Sequence, residues 1–82
     1  MYYVYLLKSC KNNKMYTGFS EKEPKERLKE HNGKSSKFTK ENGPWELKYF
    51  ETFYCKKCAI HREKFLKSGI GRKLRDTIIK NV

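Results

Sequence analysis

Glu63 stands where a carboxylate is costly. If residues 56–68 form a helix, Ala59 lies four positions before it and Leu66 three after, which puts all three on one inward stripe. Carboxylates are almost never buried unless paired or bound to a cation. Glu63 is therefore either a metal ligand or a solvated side chain paired with a nearby lysine. Arg27 and His31 form a second group, four residues apart and so on one helix face beside Leu28. An arginine can clamp a phosphate through two hydrogen bonds, and an imidazole can donate to a phosphate oxygen or shuttle a proton. The same pair is also common on an ordinary solvated helix. Tyr3, Tyr5 and Tyr16 form a third group. Strand tyrosines usually fill the edge of a core, but one beside a cation can ionise below its usual range and act as a general base.

A further candidate is Cys55-x-x-Cys58-x-x-His61, whose cysteines have ligand spacing for zinc. A structural zinc site needs four ligands, and the remaining cysteine, Cys10, is far away in sequence. Positions 58 and 61 also fall within the expected helix. Zinc therefore ranks behind the other readings.

To bring these residues together the chain must supply a particular set of elements. Residues 2–8 are aromatic and aliphatic, Asn12-Asn13-Lys14 supplies turn chemistry, and Met15 to Phe19 reads as a second strand, giving a hairpin. Gly18 within that strand marks a bulge or a place of close approach to the backbone. Pro24 suits the first turn of a helix that runs to about Asn32 and stops at Gly33. A polar loop over 33–44 follows, with one helical turn around Lys37 to Glu41. Trp45 to Phe53 reads as a third strand. A helix over 56–68 then stops at Gly69 and Gly71, and a last helix over 72–80 turns Leu74, Ile78 and Ile79 inward. The expected fold is α+β: a small, three-stranded, mainly antiparallel sheet flanked by helices, in the order β-β-α-β-α-α.

The chain has 82 residues, 37% of them hydrophobic and 15% aromatic, enough for one modest core and against disorder. It reads as one domain over 1–82 with no separate targeting domain. Twenty Lys and Arg against nine Asp and Glu leave a net charge of +11. Such a surface draws polyanions by releasing their counterions, whatever the sequence of the polyanion. Lys34, Lys37, Lys40 and Arg72 are the expected nucleic-acid contacts. No segment approaches the ~20 apolar residues needed to span a bilayer. The first residues, Met1 to Leu7, lack a basic leader and read as a strand rather than a signal peptide. Three cysteines cannot build a disulfide framework, which points to a reducing compartment and a cytoplasmic location.

Taken in order, these residues resemble the GIY-YIG nuclease superfamily, in particular its small single-domain bacterial members. Tyr3-Val4-Tyr5 and Tyr16-Thr17-Gly18 are similar to the paired tripeptides that name it, with Tyr5 and Tyr16 eleven positions apart. Tyr3 replaces the family's leading Gly, and Val4 and Thr17 its central Ile. Arg27-Leu28-Lys29-Glu30-His31-Asn32 resembles the R-L-x-E-H-N helix signature. Arg62-Glu63-Lys64 with Leu66-Lys67-Ser68-Gly69-Ile70-Gly71-Arg72 resembles R-E-x-x-L-K-x-G-x-G-R. The stretch Glu21 to Pro24 is one residue longer than usual.

The resemblance implies a DNA phosphodiesterase using one divalent cation, Mg2+ or Mn2+. By position, Glu63 would hold the metal and Arg27 would stabilise charge on the scissile phosphate. Tyr5 and Tyr16 would face the site from adjacent strands, one of them helping to activate water. His31 would assist as donor or proton relay. Some members also use an asparagine beyond the glutamate, a place that only Asn81 can take. Without an added DNA-reading domain, the expected targets are branched, nicked or single-stranded DNA, or any duplex cut weakly. The alternative is a catalytically silent, basic nucleic-acid-binding module on the same fold. Oligomeric state is left open.

Overall fold

The computed structural model describes residues 1–33 and 41–81. Its elements are β1 (Tyr2–Ser9), β2 (Met15–Ser20), α1 (Pro24–Asn32), β3 (Trp45–Phe53), α2 (Lys56–Lys67) and α3 (Gly69–Lys80). The strands form one antiparallel sheet in the order β2-β1-β3. This is the α+β arrangement expected, with the same element order. The helical turn expected around Lys37 to Glu41 lies mainly outside the described residues.

Strand β1 is central because it alone can be buried on both faces. Its run Val4-Tyr5-Leu6-Leu7 is at most 1% exposed. Alternation sends Val4 and Leu6 to one side, where Ala59 and Leu66 of α2 meet them and Ile78 and Ile79 of α3 close the layer. Tyr5 and Leu7 go to the other side, packed with Trp45, Tyr16, Leu28 and Leu47. Each such aliphatic side chain removed from water contributes about 1.5–3 kcal/mol, so a few residues carry most of this small core. Leu74, expected to face inward, is instead 37% exposed.

The hairpin between β1 and β2 turns through Asn13, whose φ of 61° lies in the left-handed region that asparagine tolerates. The buried Ser9 hydroxyl accepts from the Lys11 and Asn12 amides at 3.0 and 3.2 Å, organising the turn from beneath. Pro24 occupies the first turn of α1, where its missing N–H removes no helical bond. At the other end of α1, Asn32 mimics a neighbouring strand. Its Oδ1 accepts from the Trp45 amide at 2.6 Å, and its Nδ2 donates to the Trp45 carbonyl at 3.1 Å. The start of β3 is thereby tied to the helix that carries Arg27 and His31.

The two glycines expected to separate the last helices do not separate them. α2 ends at Lys67 and α3 begins at Gly69, so Ser68 alone makes the corner. Its hydroxyl donates to the Phe65 carbonyl at 2.6 Å and accepts from the Gly71 amide at 3.2 Å, closing one helix and opening the next. Gly71 lies against the end of α2 so closely that a Cβ there would stand 1.6 Å from the Phe65 carbonyl oxygen. Glycine is placed here for space. A reading based on helix propensity registers only its poor intrinsic score and moves the helix start to Arg72.

Candidate active site

Four of the five residues singled out for catalysis touch in one cluster, and the fifth acts on it. Tyr5 rises from β1 toward α1, where its hydroxyl lies 2.8 Å from His31 Nε2. Its ring needs the space above β2. Gly18 pairs with Tyr5 across the strands, and a Cβ at Gly18 would fall 2.3 Å from Tyr5 Cζ. The glycine is thus a site of close approach rather than a bulge. The register shift that does occur lies on the other side of β1, at Leu6/Leu7 opposite β3.

His31 is 2% exposed, and its ring packs on Tyr16 with centroids 4.7 Å apart. Tyr16 in turn meets the edge of Trp45 at 6.2 Å. Arg27, one turn before His31, pairs with Glu30 and stands close enough to Tyr5 for each group to shift the other's ionisation. Burial works against its charge, but the Tyr5 hydroxyl and the Glu30 carboxylate together keep the guanidinium protonated. Glu30 is bound by Lys22 at 2.7 Å as well, which fixes the arginine's orientation from behind.

These surroundings set the protonation states. Burial raises the Tyr5 pKa, outweighing the opposing effect of Arg27, and the charge of Glu63 raises it further. Tyr5 is therefore a neutral phenol in this setting, and its neighbouring arginine does not ionise it. Burial, and after it the Arg27 charge, lowers the His31 pKa against the opposing pull of Glu30. His31 is neutral at neutral pH.

A histidine whose folded pKa is lowered favours the folded state above its unfolded pKa of about 6.5. That contribution is lost as pH falls below it, because the unfolded chain takes up the proton first. Glu30 and Glu51 also have lowered pKa values. They support the fold above the carboxylate range and lose that effect only at lower pH. The melting temperature should accordingly fall between pH 7.5 and 5.5, and His31→Gln should flatten this slope. Equal slopes in the two proteins would assign the effect to another group.

Glu63 stands on α2 and acts on the cluster through its charge rather than through a hydrogen bond to the described residues. Its neighbours on the stripe, Ala59 and Leu66, are fully buried, while its own side chain is 19% exposed. It is near enough for its charge to act on the Tyr5 phenol. Lys67 pairs with Oε2 at 3.4 Å, whereas Oε1 makes no hydrogen bond to the described residues. Glu63 is thus largely covered and paired with a lysine at the same time. Next to it, Arg62 grips Glu51 of β3 through two bonds of 2.8 and 2.9 Å, and the Tyr49 hydroxyl donates to the same carboxylate at 2.6 Å. This network fastens α2 to the sheet at the turn that bears Glu63.

Beside the cluster opens a cleft of about 360 Å³, lined by Met15, Tyr16, Thr17, Lys67, Arg72 and Arg75. Arg72 was expected to contact nucleic acid. Lys67 and Arg75 were not singled out, although their spacing carried a signal: Lys67 is four residues beyond Glu63, and Arg75 one turn beyond Arg72. Lys34, Lys37 and Lys40 lie outside the described residues. Asn81 caps its own helix, donating to the Thr77 carbonyl at 2.8 Å, and takes no part in the cluster's contacts. Among the described residues no three His, Cys, Asp or Glu side chains gather in a metal-holding group, so Cys55, Cys58 and His61 do not form a zinc site. No helix among the described residues is long and apolar enough to cross a membrane.

The model of the GIY-YIG catalytic domain family matches residues 1–75, a span that contains all five residues of this site. The chain belongs to the GIY-YIG family. Its relatives include a UPF0213 protein of Clostridium perfringens, 46% identical over 68 residues that cover 82% of this chain and 71% of the relative. A UPF0213 protein of Staphylococcus saprophyticus is 37% identical over 67 residues, covering 82% of this chain and 80% of that protein. One from Bacillus licheniformis is 37% identical over 79 residues, covering 95% of this chain and 78% of its own length. No solved structure gives a significant match. GIY-YIG catalytic domains are nuclease domains.

Proposed function

We propose that this chain is a divalent-metal-dependent DNA endonuclease that hydrolyses phosphodiester bonds, directed by DNA structure or only weakly by sequence. The observation that carries this reading is the meeting of Tyr5, Tyr16, Arg27 and His31 within reach of the Glu63 charge, at the wall of a basic cleft.

The donor set fits a hard cation. Among the described residues Glu63 belongs to no group of three or more acidic, histidine or cysteine side chains, and its Oε1 makes no hydrogen bond to them. Such a site suits Mg2+ or Mn2+, which take most of their ligands from water and phosphate oxygens. When bound there, the ion would stabilise the charge that develops on the leaving oxygen. Arg27 has N–H groups beyond the one that Glu30 engages, and these can meet the non-bridging phosphate oxygens. Tyr16 lines the cleft, whereas Tyr5 is fully buried. Tyr16 is thus the phenol placed to hold the attacking water. Tyr5 positions His31 and Arg27 from below. His31, buried against the Tyr16 ring and unprotonated at neutral pH, acts as a relay for the proton through its neighbours and not on the water directly. Lys67, Arg72 and Arg75 hold flanking phosphates, contacts that read no bases.

The test is a digest of matched linear, nicked, branched and single-stranded DNAs with magnesium or with a chelator. Cleavage is expected with the metal alone, and faster on nicked, branched or single-stranded DNA than on plain duplex. Equal, sequence-dependent cutting of plain duplex would remove the structure-directed part. Binding without cleavage in either Mg2+ or Mn2+ would leave the silent module.

A further inference from the structure

Cys55 and Cys58 are not used by the cluster above, yet they are the two groups outside it with chemistry of their own. Cys55 sits at the position that caps α2, with extended backbone, and its sulfur accepts from the Cys58 amide at 3.4 Å. The two thiols influence each other's ionisation. Both residues are exposed, and a cleft of about 260 Å³ lined by Lys57, Cys58 and His61 adjoins them.

We propose that Cys55 and Cys58 form a thiol–disulfide exchange site, with Cys55 as the attacking thiolate and Cys58 as the resolving thiol. The Cys55 thiolate attacks one sulfur of a low-molecular-weight disulfide, forming a mixed disulfide and releasing one thiolate. Cys58, once deprotonated, attacks the Cys55 sulfur and releases the second. The external disulfide is reduced by two electrons, and the cysteine pair is oxidised by two.

Three features support these roles. The Cys55 sulfur lies 3.4 Å from the Cys58 amide, so the two cysteines share the first turn of α2 with Cys55 turned back toward Cys58. The Cys58 backbone first, and then its thiol, lower the Cys55 pKa, while the same partnership raises that of Cys58. A thiolate at a helix start is also the form favoured by the helix dipole. Lys56 and Lys57, between the two cysteines, add positive charge to the same turn.

Cys10 serves as an internal control. It follows Ser9, which pairs with Trp45, whereas Cys55 follows β3 at the end where Phe53 pairs with Tyr2. Eight residues of β1 separate the two ends, roughly 25 Å at 3.3 Å per residue. No disulfide within one chain can join Cys10 to either of the others.

The test is to equilibrate the reduced full chain with oxidised and reduced glutathione at several ratios, quench by alkylation, and map the cysteines by mass spectrometry. Trypsin cuts after Lys56 and Lys57, so a Cys55–Cys58 bond appears as two linked peptides. The expected result is that bond within the monomer, with Cys10 alkylated, and with Cys55 reacting several times faster than Cys10 when reduced. Cys58→Ser should accumulate a glutathione adduct on Cys55. Cys55→Ser, which keeps a good helix cap, should suppress adduct formation at Cys58. Oxidation that yields mainly chain-to-chain dimers through Cys10, or equal alkylation of all three cysteines with no linked peptides, would overturn the proposal.

Discussion

Replacing Glu63 by Gln should reduce magnesium-dependent cleavage by at least about 10²–10³-fold, the scale on which removing one transition-state-stabilising group usually acts. Binding to the same DNA should stay within about threefold. Shape is nearly unchanged by the substitution, and the ion pair lost among the described residues is the one with the half-exposed Lys67. A pair of that kind contributes about 0.2–1 kcal/mol at most, so the fold should tolerate its loss. Arg62, Glu51 and Tyr49 still fasten the helix, because none of their bonds involves position 63. Single-turnover cleavage, read beside fluorescence anisotropy on uncleaved DNA, separates the two effects. Cleavage within about tenfold of the unmodified protein would mean that the carboxylate does not anchor the cation, and the catalytic reading would fall with it. A parallel loss of binding would mean instead that the helix had moved.

The second large effect concerns stability. Gly71→Ala introduces a Cβ that would sit 1.6 Å from the Phe65 carbonyl oxygen and 2.8 Å from the Leu66 Cα, both backbone atoms that cannot rotate away. The corner between α2 and α3 must open, at a cost of about 3 kcal/mol or more. For a domain of this size that corresponds to a fall in melting temperature of roughly 12 °C or more. Gly69→Ala, two positions earlier, meets nothing within 4 Å and lies in the first turn of α3. It should be neutral or stabilising by about 0.5 kcal/mol through a less flexible unfolded chain. Thermal and denaturant melts are thus expected to fall for Gly71→Ala and to stay level or rise for Gly69→Ala. If both were tolerated equally, the tight corner would not be what joins the last two helices.

A Gly71 variant should also lose cleavage, even though position 71 lies outside the reacting cluster. Leu66, against which the corner packs, shares its stripe with Glu63, and the carboxylate's place depends on that stripe staying seated on β1. A melt recorded beside each activity assay is what keeps a folding defect from passing as a catalytic one.

Much of this protein could be read along the chain, because the relevant forces are local. The double-sided burial of β1 follows from an unbroken run of apolar residues, and the hairpin from Asn12-Asn13. The start of α1 follows from Pro24, and the sharing of a face by Arg27 and His31 from helical periodicity. The partial burial of Glu63 followed from the same arithmetic. Other features had no local signature. That Gly69 and Gly71 begin a helix depended on Ser68 serving two caps and on the space beside Phe65. That Leu74 is exposed depended on how α3 lies across the sheet. That Tyr5 is buried and neutral while Tyr16 lines the cleft depended on Gly18 admitting one ring and on Trp45 meeting the other. Sequence period determines which side of an element a residue occupies. Only the packing of elements from distant parts of the chain decides how close two side chains come, how much water reaches them and which of them holds a proton, because Coulombic and desolvation energies depend on distance in space.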